Sequence, residues 1–247
     1  MCLILFDWQP GKLILGGNRE ESRKKPHAYP TVLGKEGVRV VVAGADYGRL
    51  ETSQARLGSW LGVNNYGLVV AVTNRDDGHA HNTLHSRGWP LIEMLCYPSA
   101  FSAVEVASIR LREGGYGGAN YIIMDREEAW WVRAPGCKDV NLQEIKPGKH
   151  VITNLDLDDP EDVRIKFAHE YLKEKSLSLR HAEDLCLHNN ILVPDKDWGT
   201  LSSTIVLQHG DEFRFRHTVA EHEPTPYGNS LKLQFKDYQH LMREEHE

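Results

Sequence analysis

None of the four cysteines, at positions 2, 96, 137 and 186, stands in a CxxC pair or at a regular spacing. That argues against a disulfide framework or a structural zinc site and predicts a reducing compartment, with the cytoplasm as the expected location. Basic charge is also short: 29 Lys and Arg against 35 Asp and Glu leave a net charge of −6, the wrong sign for a nucleic-acid surface. The short basic run Arg23-Lys24-Lys25 follows two glutamates and reads as a solvated loop. No apolar run approaches the roughly 18 residues of a transmembrane span, and the first residues lack the basic n-region and cleavage site of a secretory signal. GxGxxG, P-loop and internal repeats are missing too, so neither dinucleotide-binding nor NTPase chemistry is indicated.

What is present suits a globular fold. With 40% hydrophobic and 26% charged residues over 247 positions, the chain can bury a sizeable core, and one domain over 1–247 is expected, with 237–247 a polar tail forming an exposed helix or a frayed end. Runs at 2–6, 13–15, 38–43, 68–73, 121–124, 151–153 and 204–207 are apolar on both alternating faces, which predicts strands covered on both sides. Trp8-Gln9-Pro10-Gly11 is a turn signal that makes the first two runs a hairpin, and Asn64-Asn65-Tyr66-Gly67 is a second. Residues 212–216, after His209-Gly210-Asp211, read as a further hairpin arm. Ser102-Ala103-Val104-Glu105 has capping-box spacing for a helix ended by Gly114-Gly115, and Asp159-Pro160-Glu161-Asp162 reads as a helix start ahead of a stripe of Val163, Phe167, Ala168, Tyr171 and Leu172. A third helix is expected over about 181–187. Doubly buried strands without βαβ periodicity predict an α+β fold, two stacked sheets with helices outside.

Met1-Cys2 carries the most pointed chemistry. A small second residue permits removal of the initiator, and Cys2 would then hold a thiol (reference pKa about 8.5) and a free α-amine (about 7.7–8.0) in one residue, nucleophile and base together. The alternative is that Cys2 is only the first residue of a strand.

Met1-Cys2-Leu3-Ile4, Leu15-Gly16-Gly17-Asn18-Arg19-Glu20-Glu21 and Gly58-Ser59-Trp60-Leu61-Gly62-Val63-Asn64, leading to Ala71-Val72-Thr73-Asn74, together resemble the NRDE family, also called the transport and Golgi organisation protein 2 family. The likeness continues in order through Ser86-Arg87-Gly88, Tyr116-Gly117-Gly118-Ala119-Asn120-Tyr121, Ile152-Thr153-Asn154 and Trp198-Gly199-Thr200-Leu201-Ser202-Ser203-Thr204. That family is similar to cysteine N-terminal-nucleophile (Ntn) hydrolases, which implies a four-layer αββα sandwich with two mainly antiparallel sheets. The resemblance implies Cys2 as nucleophile and Arg19 beside it, favouring the thiolate. It also implies Glu20 as the retained acid where the motif has aspartate, and Asn74 and Asn154 as oxyanion donors. Asn18, Trp60 and Asn64, in the same stretches, are the candidates for holding substrate. Two departures stand out: Leu201 replaces a family arginine, and Ser59 replaces a glycine before Trp60.

Several of these residues have a second reading. Arg19 also suits a surface pair with Glu21 or Asp7, Asn74 suits strand-end turn chemistry before Arg75-Asp76-Asp77-Gly78, Asn154 suits a turn cap, and Trp60 suits the core. His79, His81 and His85 form a His-rich loop that reads as solvated, so no metal is expected. The leading expectation is an amide or thioester hydrolase of a small acyl substrate, needing no cofactor. The alternative is a non-catalytic carrier of haem or another hydrophobic ligand in the same pocket, any haem being non-covalent because no CxxCH motif is present. Oligomeric state is left open.

Overall fold

The computed structural model describes every residue except 1, 26–28, 36, 45, 48–56, 76–84, 137–138, 174, 195–196, 226–227, 233–234, 239–240 and 242–247. Its strands run β1 (Leu3–Gln9), β2 (Lys12–Ser22), β3 (Thr31–Lys35), β4 (Val38–Val42), β5 (Asp46–Tyr47), β6 (Leu57–Gly58), β7 (Leu61–Asn64) and β8 (Val69–Asn74). After helices α1 (Gly88–Met94) and α2 (Ala100–Glu113) come β9 (Ala119–Met124), β10 (Ala129–Ala134), β11 (Asn141–Glu144) and β12 (Gly148–Ile152). Helices α3 (Val163–Leu172) and α4 (Leu179–Cys186) precede β13 (Trp198–His209), β14 (Glu212–Val219), β15 (Glu221–Thr225), β16 (Gly228–Lys232) and β17 (Lys236–Asp237). One sheet is ordered β12-β1-β2-β13-β14-β17 and the other β11-β10-β9-β8-β7-β4-β3, with every paired strand antiparallel. Two short hairpins, β5-β6 and β15-β16, complete the pairing.

Because side chains alternate across a strand, each apolar run serves two layers. Ile4, Phe6 and Trp8 of β1 and Leu13 and Leu15 of β2 meet Leu61, Val63, Val69 and Ile122 between the sheets. Leu3, Leu5, Ile14 and Ile205 turn the other way, onto Ile165, Ala168, Ala182 and Leu185 of α3 and α4. On the second sheet Val70, Tyr121, Ile123 and Val132 turn outward onto α1 and α2. The result is the expected αββα layering. Close approach on the first sheet depends on Gly16, where an added Cβ would sit 2.8 Å from the Cys186 sulfur of α4. Gly67, with φ +100°, makes the turn into β8.

Several boundaries differ from the sequence expectation. The box capping α2 is centred on Ser99, whose side chain accepts from Ser102 N, while the Ser102 hydroxyl accepts from Ser99 N. The helix thus begins three residues before the spacing suggested, because Asp125 accepts from Ala100 N at 2.7 Å and fixes that earlier turn. The cap of α3 is Asp162, not Asp159: its carboxylate accepts from Arg164 N and Ile165 N and, at 2.6 Å, from the Thr153 hydroxyl. Val163, expected in the apolar stripe, is 75% exposed. Helix α1 was not anticipated, since Gly88 and Pro90 mask its short pattern. Among the described residues near the C-terminal end, β17 pairs with β14, and Tyr238 and Leu241 pack on the inter-sheet core. No helix among the described residues is long and apolar enough to cross a membrane.

Behind β12 lies a charged cluster. Asp158, with φ +56°, accepts from His150 Nδ1 at 2.6 Å, His169 Nε2 at 2.9 Å and Val151 N at 2.8 Å. Burial, the largest single influence, works against the charged forms of Asp158 and His150, yet their mutual hydrogen bond and charge, with His169 and the Val151 N–H on Asp158 and the Lys146 carbonyl on His150, together outweigh it, so the carboxyl is held well below the usual range and the imidazole above its own. A raised His150 contributes stability fully present below about pH 6.5 and lost as pH rises through its folded value. The depressed Asp158 contribution persists above the ordinary aspartate range and is lost only in strong acid. Asp158→Asn keeps a residue tolerant of positive φ and is expected to cost about 1–3 kcal/mol near pH 6, flattening the decline between pH 6 and 8. Thermal unfolding across that range checks it, and an unchanged slope would refute the coupling.

Candidate functional site

The register Leu3↔Asn18 between β1 and β2 puts Cys2 beside Arg19 at the end of the hairpin. Both share the pleat parity of Ile4 and Leu15 and so belong to the inter-sheet face. Arg19 is 6% exposed, and its guanidinium carbon lies 4.5 Å over the Trp60 ring, a cation–π contact. Cys2 main-chain N donates to Asn154 Oδ1 at 3.3 Å. Asn154 reaches it because β12 pairs with β1, the chain then turning after Ile152. The opposite sheet arrives through Thr73, whose hydroxyl donates to the Thr153 carbonyl at 2.6 Å, so the end of β8 and the half-buried Asn74 lie beside the Asn154 turn. Cys2, Arg19, Trp60 and Asn154 are therefore brought together, with Asn74 at the adjoining strand end.

Burial is the largest influence on the Cys2 thiol and pushes its pKa up, and the Glu20 carboxylate adds to that. The Glu20 main-chain N–H and the Arg19 charge work in the opposite direction without overcoming it. With the initiator in place the sulfur is thus a protonated thiol at neutral pH.

The remaining expectations divide. Glu20 has the opposite parity and faces the helix layer, where its buried carboxylate accepts from Arg164 of α3, Nη1 at 3.1 Å and Nη2 closer still. Burial raises the Glu20 pKa and Arg164 only partly offsets it. What Glu20 brings to the sulfur is its main-chain N–H and an opposing charge, not a side-chain contact. Asn18 as a substrate residue is corrected: it faces α4, donates to the Cys186 carbonyl at 2.8 Å and accepts from the Ser203 hydroxyl at 2.6 Å. Asn64 is corrected likewise. Its amide donates to the Leu95 and Tyr97 carbonyls after α1 and accepts from Tyr66 N and Leu68 N of its own turn, filling its hydrogen-bonding capacity. Leu201 is buried at a β-bulge, where the pairing of β13 with β2 shifts between Thr200 and Ser202.

Sequence reasoning missed the group that fixes the Asn154 turn. Asn120, the second residue of the doubly buried β9, donates to the Thr73 hydroxyl and to the Thr153 and Leu155 carbonyls, and accepts from Arg75 Nη1 and Trp131 Nε1. Arg75 continues to Asp156 at 2.6 Å. The available signal was an asparagine inside an otherwise apolar run. His79 and His81 lie outside the described residues, whereas His85 packs its ring on Trp89 and Tyr116. No cluster of three metal-ligating side chains occurs among the described residues. A groove of 690 Å³ lined by Lys149, Asp158, Pro160, Ile165, Lys166 and His169 lies against α3. It is at the far end of β1 from Cys2, since Lys149 pairs with Asp7.

Two solved structures of a conjugated bile acid hydrolase from Clostridium perfringens are similar in fold. One is a mutant with a cysteine replaced by alanine, at TM-score 0.55, and the other a variant with an arginine replaced by leucine, at 0.56. Each shares 12% identity with this chain, covering 99% of it and 95% of the hydrolase. At that identity the likeness establishes the Ntn-hydrolase-like fold. No curated protein matches the chain in sequence. The family model described as Transport and Golgi organisation 2 matches residues 1–178, taking in the Cys2-Arg19 hairpin, Trp60, Asn74 and the Asn154 turn, and the chain therefore belongs to the Transport and Golgi organisation 2 family.

Proposed function

We propose that this protein is a cysteine N-terminal-nucleophile hydrolase acting on the amide, or a thioester, of a small acyl substrate. The observation that carries the reading is the contact between Cys2 N and Asn154 Oδ1 at 3.3 Å, made where Arg19 stands on the neighbouring strand. Loss of Met1 turns that same nitrogen into an α-amine held by Asn154 beside its own thiol. The amine takes the thiol proton, and the sulfur attacks the substrate carbonyl carbon, forming a C–S bond. The developing oxyanion accepts from amide donors, Asn154 Nδ2 and Asn74 Nδ2. The protonated amine then gives its proton to the leaving nitrogen or sulfur as that bond breaks. Water, its proton taken by the amine, attacks the thioester, releases the acid and restores the thiol.

The pKa logic suits such processing. Burial raises the Cys2 thiol; loss of Met1 places the residue's own α-amine beside that sulfur as its base, in the field of Arg19. The similar bile acid hydrolase, a hydrolase by name and altered at a cysteine and at an arginine, supports the same reading. Intact-mass measurement of the purified protein is expected to show the loss of one methionine; a retained methionine would exclude the amine relay.

A second reading is favoured by the raised Cys2 thiol and the buried Leu201: a carrier that holds haem or another hydrophobic ligand at this site without cleaving it. Haem titration to a saturating Soret shift at one site, unaltered by Cys2→Ala, would support the carrier over the hydrolase.

A further inference from the structure

On the inter-sheet face, the strand next to Arg19 carries polar atoms that the protein leaves unused. Ser202 of β13 pairs directly with Arg19, and two residues on, Thr204 pairs with His217 of β14. Ser202 and His217 are 4% and 1% exposed. The buried atoms Ser202 Oγ, His217 Nε2 and Trp60 Nε1 find no hydrogen-bond partner among the described residues. A buried polar atom left dry in this way is destabilising. His217 Nδ1 is engaged with the Thr204 hydroxyl at 2.9 Å, so with that hydroxyl donating, Nε2 carries the proton. Burial, helped by the Arg19 charge, lowers the His217 pKa to about 3 and keeps the ring neutral. The indole N–H and the guanidinium can only donate, and the serine hydroxyl and the imidazole can also donate. The Glu21 carboxylate feels the Arg19 charge, but its oxygens accept from Ser22 N and Lys25 Nζ, so these donors around a buried cation still lack an anionic acceptor.

We infer that Arg19, Trp60, Ser202 and His217 form a subsite for a carboxylate carried by the ligand. Arg19 supplies the charge, and Trp60, Ser202 and His217 supply hydrogen bonds that no protein group takes. In the row Cys2, Arg19, Ser202, adjacent strands are about 4.8 Å apart, so the carboxylate lies within roughly 10 Å of the Cys2 sulfur. This rests on the hydrolase reading only for its placement relative to the scissile bond: the ligand class becomes acyl compounds whose acyl chain ends in a carboxylate a few bonds from the reacting carbonyl.

Binding can be separated from chemistry by working with Cys2→Ala protein. Calorimetric titration with 4-phenylbutyrate and with its neutral isostere 4-phenylbutyramide is expected to show at least tenfold tighter binding of the carboxylate, with the Trp60 indole N–H resonance, assigned through Trp60→Phe, moving downfield. Arg19→Gln should reduce the preference to less than twofold, and Ser202→Ala, which keeps the sheet intact, should weaken the carboxylate alone. Equal affinity for the two compounds, binding of neither, or a carboxylate preference that survives Arg19→Gln would overturn the subsite. Those results would leave the hydrolase reading standing, whereas a sound carboxylate preference in a protein that retains Met1 would remove the hydrolase and keep the subsite.

Discussion

Replacing Arg164 by leucine is expected to destabilise the protein by about 3–5 kcal/mol, because it leaves the Glu20 carboxylate buried without its guanidinium. The Glu20 side chain is 0% exposed and that of Arg164 15%, so water offers little compensation. Asp162, the cap of α3, adds a like charge whose repulsion already raises the Glu20 pKa, and losing Arg164 exposes Glu20 to it in full. The double variant Glu20→Leu, Arg164→Leu should recover most of the loss, since a hydrophobic pair in place of a buried ion pair is often neutral or better. Urea unfolding of the two variants decides it. A single variant within 0.5 kcal/mol of the parent, on the order expected for ordinary surface changes, would show that the pair is not structurally engaged. The same ion pair bears on the site, since the main-chain N–H of Glu20 touches the Cys2 sulfur and the residue's position there depends on its anchor in α3.

The second large effect concerns the oxyanion. With Asn154 Oδ1 committed to the Cys2 nitrogen, its amide nitrogen is left to donate, and Asn154→Ala removes both contacts. Loss of one oxyanion donor costs about 10²–10³-fold in kcat, and misplacement of the amine adds to it. The acylation rate of the processed protein by an activated acyl probe is therefore expected to fall at least 100-fold. Asn154→Asp should fare no better than alanine, because a carboxylate cannot donate. Rates within threefold of the parent for both variants would move the oxyanion site elsewhere.

The layering was legible from sequence because strands buried on both faces must be apolar at successive positions, as 2–6 and 121–124 are. The Cys2-Arg19 pairing was legible because a turn signal fixes the register of one hairpin. What stayed hidden depended on parity and on distant contacts. Asn18, Arg19 and Glu20 are consecutive in sequence, yet the pleat sends Arg19 between the sheets and its two neighbours to the helices, so a motif read as one unit serves two layers. Asn64 looked like a ligand-binding amide, but the turn it closes and the Leu95 and Tyr97 carbonyls that follow α1 use all its hydrogen bonds. Asn120, Ser202 and His217 gave no local signal beyond polarity inside an apolar strand, because their partners, or their want of partners, arise only when β9, β13 and β14 are assembled. The starts of α2 and α3 differ from the sequence expectation because Asp125 and Thr153, both outside the helices they touch, choose which of two plausible caps is used.

The central claim is that Cys2 is the reacting group. It is tested most directly by treating the purified, native protein with a substoichiometric acylating probe and locating the adduct by peptide mass mapping. The account predicts a chain lacking Met1 with a single acyl group on Cys2, formed ahead of any on Cys96, Cys137 or the buried Cys186. An adduct on Cys96 or Cys137 with Cys2 unmodified, on a chain that still begins with methionine, would contradict it.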